Sequence, residues 1–139
     1  MADIQILKGK TFSRVIRWDT LPLIYKAISA ITRAGPVAIT ATGHGLTDGW
    51  QVAVVNAGGM RQINARHWPL WSSDFHPATV SDANVITLND IDSERFTAYT
   101  SGGSLVYYTP VDLAGFSGRM QIRTTPQAAD PPLVSLTTE

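Results

Sequence analysis

An all-β fold is what this sequence predicts, on three observations. Apolar residues recur mainly with period two, the signature of strands with one face in a core. Clusters of Gly, Asn, Asp, Ser and Pro interrupt them roughly every 8–12 residues, a spacing typical of sandwiches and barrels. An amphipathic stripe of helical period is confined to one ambiguous stretch, 21–31.

Taken in order, Phe12, Arg14, Ile16 and Trp18 alternate with Ser13, Val15 and Arg17 and predict a first strand. In Leu21–Ile31, Tyr25 and Lys26 argue against a fully buried strand and leave a helix open. Pro22 and the alternation Ala27, Ser29, Ile31 favour a strand. Gly35-Pro36 breaks the chain before a strand at 37–42. A turn cluster at 43–49, a strand at 51–56 and a turn at 57–59 follow. The segment 66–77, with Trp68, Trp71, Phe75, His67, His76 and two prolines, reads as a structured loop or broken strand. Short strands are expected at 78–80, 85–88 and 97–99, separated by polar turns at 81–84 and 89–92. Gly102-Gly103 turns into a strand at 105–109. The stretch 116–124 alternates, with Met120 and Ile122 on one face and Arg119, Gln121 and Arg123 on the other. A linker-like 126–132 precedes a last strand at 133–138.

At 139 residues the chain is one domain, or one domain carrying a small inserted module. A chain of this size buries roughly two-thirds of its unfolded surface, so a core forms without staples. Cysteine is absent, which excludes a disulfide scaffold, a Cys-ligated zinc site and a thiol nucleophile. Eleven basic and eleven acidic residues cancel, leaving no net field for nucleic acid or an anionic membrane. Charged residues make up 16% of the chain, against about 25% in a typical domain. Much of the surface is therefore neutral-polar or covered by partners. No run approaches the roughly 18 apolar residues of a membrane helix, and Met1 to Lys10 has no signal-peptide core. A chain soluble as made is expected.

No catalytic constellation stands out. His67, His76 and Asp74 could in principle bind zinc, but their spacing matches no standard pattern. Loop histidines satisfying backbone groups are the plainer reading. His44, between two glycines, reads as a loop cap. Asp90, Asp92 and Glu94 suggest calcium only faintly, since a loop opening at Asp90 would place Arg95 and Ser101 where the sixth-position Gly and closing Glu belong. A solvated turn is expected. No glycine cluster has the pattern of a phosphate loop, and no Gly-x-Ser-x-Gly elbow occurs. No cofactor is implied. The aromatics Trp50, Trp68, Trp71, Phe75, Tyr99, Tyr107 and Tyr108 fill a core, anchor an interface or form a sugar platform, in that order of preference. Arg outnumbers Lys eight to three, and its planar fork suits interface ion pairs.

One set of segments carries a resemblance. It comprises Ile39–Leu46 with its His44-Gly45 turn, Asp48–Val52, Gly59-Met-Arg-Gln-Ile-Asn-Ala65, Val85–Leu88, and Phe96–Gly103 closing on Tyr-x-Ser-Gly-Gly. Together they resemble a β-barrel repeat of tailed-bacteriophage tail proteins, itself similar to the first catalytic-cysteine half-domain of ubiquitin-activating enzymes. No ubiquitin-activating chemistry is implied. In such a barrel Gly45 and Gly49 allow tight turns, Met60 and Ile63 plug the interior, Asn64 bonds turn backbone, and Gly102 and Gly103 let the closing strand bend. The loop 66–77 interrupts the pattern like an insertion. The flanks, through Lys10–Trp18, Tyr25–Ile28, Pro110–Phe116 and Arg119–Arg123, resemble the N-terminal β-sandwich of phage baseplate and minor tail proteins.

The resemblance therefore implies an all-β protein: a baseplate-type β-sandwich from 1–35 and 104–139, with a small β-barrel inserted at 36–103. The two ends of the insertion should lie close in space. Family modules often continue with more strands past a point like Leu136, so an open sheet edge available to a neighbour is expected. The implied function is that of a non-enzymatic virion structural protein, at the tail tip or baseplate or as a minor tail component. It would be made in the host cytoplasm and assemble symmetrically with itself and with other virion proteins. A capsid decoration or head–tail adaptor role and a receptor- or carbohydrate-binding role stay open. Candidate interface residues are Trp68, Trp71 and Phe75 in the loop, which could also meet a host surface, with Arg17, Arg119 and Arg123 on strand faces. Asp112 and Gly115 are candidate turn residues, and neither nucleic acid nor membrane insertion is expected.

Overall fold

The computed structural model describes residues 18–122, 125, 131 and 134–137. These residues are all-β, as the sequence predicts, with no α-helix among them. The strands are β1 (Asp19–Ala27), β2 (Ala30–Ile31), β3 (Val37–Thr40), β4 (Gln51–Val55), β5 (His76–Val80), β6 (Val85–Leu88), β7 (Ser104–Pro110), β8 (Arg119–Ile122) and β9 (Val134–Thr137). Two short 3-10 turns, Arg61–Ile63 and Ser72–Asp74, lie between β4 and β5.

Seven strands form one antiparallel sheet in the order β1-β7-β4-β5-β6-β3-β2. β8 and β9 pair separately, with Arg119 opposite Thr137 and Ile122 opposite Val134. The first and last strands in the sheet order, β1 and β2, are successive parts of one chain segment. Between them the Ile28 N–H donates to Gly103 O at 3.1 Å and the Ser29 N–H donates to Thr40 O at 2.9 Å. The chain thus passes from pairing with β7 to pairing with β3, which requires the sheet to curl.

Alternation explains which residues the curl encloses. Val37 and Ile39 of β3 are buried while Ala38 and Thr40 are half-exposed, and Ile86 and Leu88 alternate with Val85 and Thr87 in β6. Val52, Val54, Leu105 and Tyr107 join them from β4 and β7, with Met60 and Ile63 from the turn after β4. Ala53 and Val106 are buried as well, although alternation puts them on the other face, where they are cross-strand partners. Each such aliphatic side chain contributes about 1.5–3 kcal/mol of transfer free energy on burial.

Several elements differ from expectation. No strand forms at 97–99, because the backbone there is spent elsewhere: Thr100 N–H donates to Gly58 O and Gly58 N–H to Ser101 O. That approach needs glycine. A Cβ on Gly59, whose φ is +75°, would sit 2.2 Å from Ala98 O. The loop 66–77 yields its last two residues to β5. The expected strand at 12–18 lies outside the described residues except for Trp18, which is exposed and precedes β1. Phe116 is exposed in a turn, and the ladder of β8 starts only at Arg119. The two boundaries of the expected insertion, 35/36 and 103/104, are crossed by the seven-stranded sheet. β1 and β7 from the flanks pair with each other, and β7 pairs with β4 from inside.

Candidate functional site

The loop from β4 to β5 is anchored at its root by Asn64. Its side chain accepts from the Ala57 N–H at 2.8 Å and donates to the Ala57 carbonyl at 3.1 Å. The next residue donates backbone N–H to Val54 O at 2.7 Å, which ties the loop to β4. Gly103 lies against the same turn. Its φ is +87°, and a Cβ there would meet the Ala57 backbone at 2.8 Å.

Beyond Asn64, one carboxylate organises the loop. Asp74 is 6% exposed. It accepts from the Arg66 N–H at 3.0 Å, the Trp71 N–H at 2.8 Å and the His67 ring Nδ1 at 3.1 Å. Burial by itself would raise its pKa. The Trp71 and Arg66 N–H groups and the His67 ring outweigh that and bring it down to about 2. His67 in turn stacks on Trp71, with ring centroids 3.8 Å apart and planes within 6°. Trp71 is 60% and Trp68 73% exposed. The loop therefore shows two indoles to solvent on a backbone held by a buried charge.

Two clefts flank this loop. The larger, of about 480 Å³, is lined by loop residues including Gln62, Arg66 and His67, by His76 at the start of β5, and by Asp90, Asp92 and Phe96 beyond β6. In it His76 Nδ1 donates to Asp90 Oδ2 at 2.7 Å. Register explains the pair. Ala78 faces Leu88 in the β5–β6 ladder, so two residues further along His76 comes opposite Asp90. Both histidines thus bond a carboxylate through Nδ1, which leaves Nε2 as the open position of each ring. The smaller cleft, of about 250 Å³, is lined by Asp19, Gln51, Ser72, Phe75 and Tyr108. Phe75 stacks on Tyr108 there with centroids 5.4 Å apart.

The other sequence-selected residues fall as follows. His44 is buried. Its Nδ1 accepts from the Leu46 N–H at 3.0 Å and its Nε2 donates to Asp82 O at 2.9 Å, while the Tyr107 hydroxyl donates to the His44 carbonyl. Gly45, Gly49 and Gly102 have positive φ, as does Gly115. Asp112 accepts from the Ala114 N–H at 2.8 Å. Phe75 is half-buried against Tyr108, so Trp68 and Trp71 alone of the loop aromatics are freely presented. Arg119 sits in β8 opposite Thr137. Arg17 and Arg123 lie outside the described residues. The aromatics divide: Trp50 and Tyr107 are in the core, whereas Trp68 and Trp71 are not.

The reading of His67 and His76 as backbone-satisfying loop residues is corrected, since both meet carboxylates. They do so separately, and no group of three or more His, Asp or Glu able to hold a metal occurs among the described residues. Asp92 accepts from the Glu94 N–H at 2.9 Å within its own turn. The organising roles of Asp74 and Asp90 have no sequence signal of their own. One depends on loop conformation and the other on strand register. Among the described residues no helix is long and apolar enough to cross a membrane. No protein-family model matches the chain, and no curated protein matches it.

Proposed function

We propose that this chain is a non-enzymatic structural component of a bacteriophage virion, at the tail tip or baseplate, that joins its neighbours through the aromatic loop after Asn64. The observation that carries this reading is the presentation of Trp68 and Trp71, exposed on a loop that buried Asp74 holds in place. Trp is among the side chains most enriched at the energetic centre of protein interfaces. Holding it before contact lowers the ordering cost of association. Trp18, Leu21 and Tyr25 add exposed apolar surface at and along β1, of the kind a partner covers.

The particle and the location rest on the resemblance of 36–103 to the tail-protein barrel repeat. The curl of the seven-stranded sheet supports a barrel-like form for that segment, with β1, β2 and β7 contributed by the flanks. The separate β8–β9 pair lies wholly within 104–139, part of the flanks that this reading gives to the sandwich.

Immunogold electron microscopy of intact particles, with antibody against this chain, tests the location. Label at the distal tail is the expected result, and label over the head or on no particle overturns it. Sedimentation of the purified chain tests the contact. A Trp68→Ala/Trp71→Ala double variant should fall to lower mass while keeping its thermal midpoint. A wild-type chain that is monomeric at every concentration, or a variant that assembles like it, overturns the role of the loop.

A further inference from the structure

The larger cleft has a lining that assembly through the exposed indoles does not use. It holds groups of every hydrogen-bonding kind. Gln62 and Arg66 are exposed and supply amide and guanidinium donors, one N–H of the Gln62 amide being given to Thr97 Oγ1 at 3.1 Å. Asp90 and Asp92 supply carboxylate acceptors, and the two imidazoles keep their Nε2 positions open. Ile91 and Phe96 add an apolar component. The Asp74 carboxylate holds the His67 ring at its Nδ1 edge and the Trp71 indole covers one face of it, so the ring is a fixed part of the cleft wall.

This combination selects among ligand classes. Three carboxylates, Asp74, Asp90 and Asp92, repel an anion. A metal cation is not gathered either: Asp74 and Asp90 are each engaged by a histidine, Arg66 stands on the same lining, and no group of three or more His, Asp or Glu able to hold a metal occurs among the described residues. An apolar ligand would strip water from carboxylates and imidazoles without replacing its hydrogen bonds. A neutral polyhydroxyl ring fits all of them: its hydroxyls donate and accept, and its C–H face packs on a flat aromatic ring. The cleft volume of about 480 Å³ is in the range of small-ligand sites, roughly 300–1,000 Å³. The walls are also set before binding, since His67–Asp74 and His76–Asp90 are already bonded, which reduces the cost of ordering them.

We infer that the cleft between the β4–β5 loop and the turn after β6 is a binding site for a neutral saccharide. Arg66 and Asp92 grip ring hydroxyls there, and His67, backed by Trp71, packs against the sugar face. The site does not rest on the virion reading, but it shares Trp71 with the proposed contact, so Trp68→Ala alone is the variant that separates the two.

The test is a titration of the ¹⁵N-labelled chain with D-glucose, D-galactose, N-acetyl-D-glucosamine and L-rhamnose, followed by NMR, together with a microarray of bacterial surface glycans. At least one neutral sugar should shift the Gln62 side-chain amide and the backbone amides of His67 and Phe96 saturably. Arg66→Ala leaves the backbone N–H that Asp74 uses, and Asp92→Asn keeps the oxygen that accepts from Glu94. Each should weaken binding at least tenfold with the rest of the spectrum unchanged, and Trp68→Ala should leave it as it was. Failure of all four sugars and of the array overturns the inference. So does binding indifferent to both variants, or saturable binding in the cleft of sodium phosphate or methylammonium in place of the sugars. None of these outcomes bears on assembly, which the sedimentation experiment reads.

Discussion

Replacing Asn64 with Ala removes both hydrogen bonds that its amide makes to Ala57. Ala57 is buried, so water does not take over either bond. An orphaned buried backbone donor or acceptor costs about 1–3 kcal/mol. Two of them, partly relieved by local relaxation, give about 2–4 kcal/mol. With an unfolding entropy of about 2.1 cal/mol/K per residue, this corresponds to a thermal midpoint lower by roughly 7–14 °C. Asn64→Asp separates the two bonds. It keeps the acceptor for the Ala57 N–H but sets a carboxylate oxygen against the Ala57 carbonyl at neutral pH. Protonation restores a donor, so the introduced carboxyl has a raised pKa in the folded state, and the stability it contributes is present at low pH and lost as pH rises. Its deficit against wild type should therefore be smaller near pH 4 than near pH 7, about the ordinary carboxyl range. Differential scanning calorimetry at the two pH values reads both effects. An Asn64→Ala midpoint within about 3 °C of wild type, less than about 1 kcal/mol, would refute the reasoning, because Ala57 would then not depend on this side chain.

Three further outcomes are expected. The pKa of Asp74 is lowered to about 2, so its contribution to stability is complete above the ordinary carboxyl value of about 4 and is lost as pH falls through about 2. Urea midpoints of wild type should fall across that window relative to Asp74→Asn, and parallel curves would contradict this. Burial raises the pKa of the Tyr107 phenol, so the folded state loses stability as pH climbs above the unfolded value of about 10. Tyr107→Phe should remove that alkaline slope and, by leaving the His44 carbonyl unpaired, cost about 1–1.5 kcal/mol at neutral pH. Met60 is fully buried in the core cluster, and Met60→Ala should cost about 2–5 kcal/mol through lost transfer and the cavity left behind. A guanidinium melt reads this, and a change below about 1 kcal/mol would place Met60 outside the core.

By itself the sequence determined the local elements. Alternation at 37–40 and 85–88 placed β3 and β6 with their buried faces, because a period of two is a property of neighbouring residues. The glycines at 58–59 and 102–103 marked turns, because a left-handed backbone or a close approach excludes a Cβ whatever the fold. Pairing is different, since it joins residues far apart in the chain. Only the tertiary structure put β1 and β7 in the same sheet as β4, where the sequence suggested a boundary. Only there did the segment 97–99 give its backbone to a glycine turn and so form no strand. The larger cleft follows the same rule. His76 meets Asp90 through the register of two strands, and Asp74 collects two N–H groups and a ring that converge on it only once the loop is closed. Exposure of Trp68 and Trp71 was undetermined for the same reason. The preference for the core fails at these two indoles, because burial depends on how the loop closes, and Asp74 fixes that closure through the Trp71 backbone N–H.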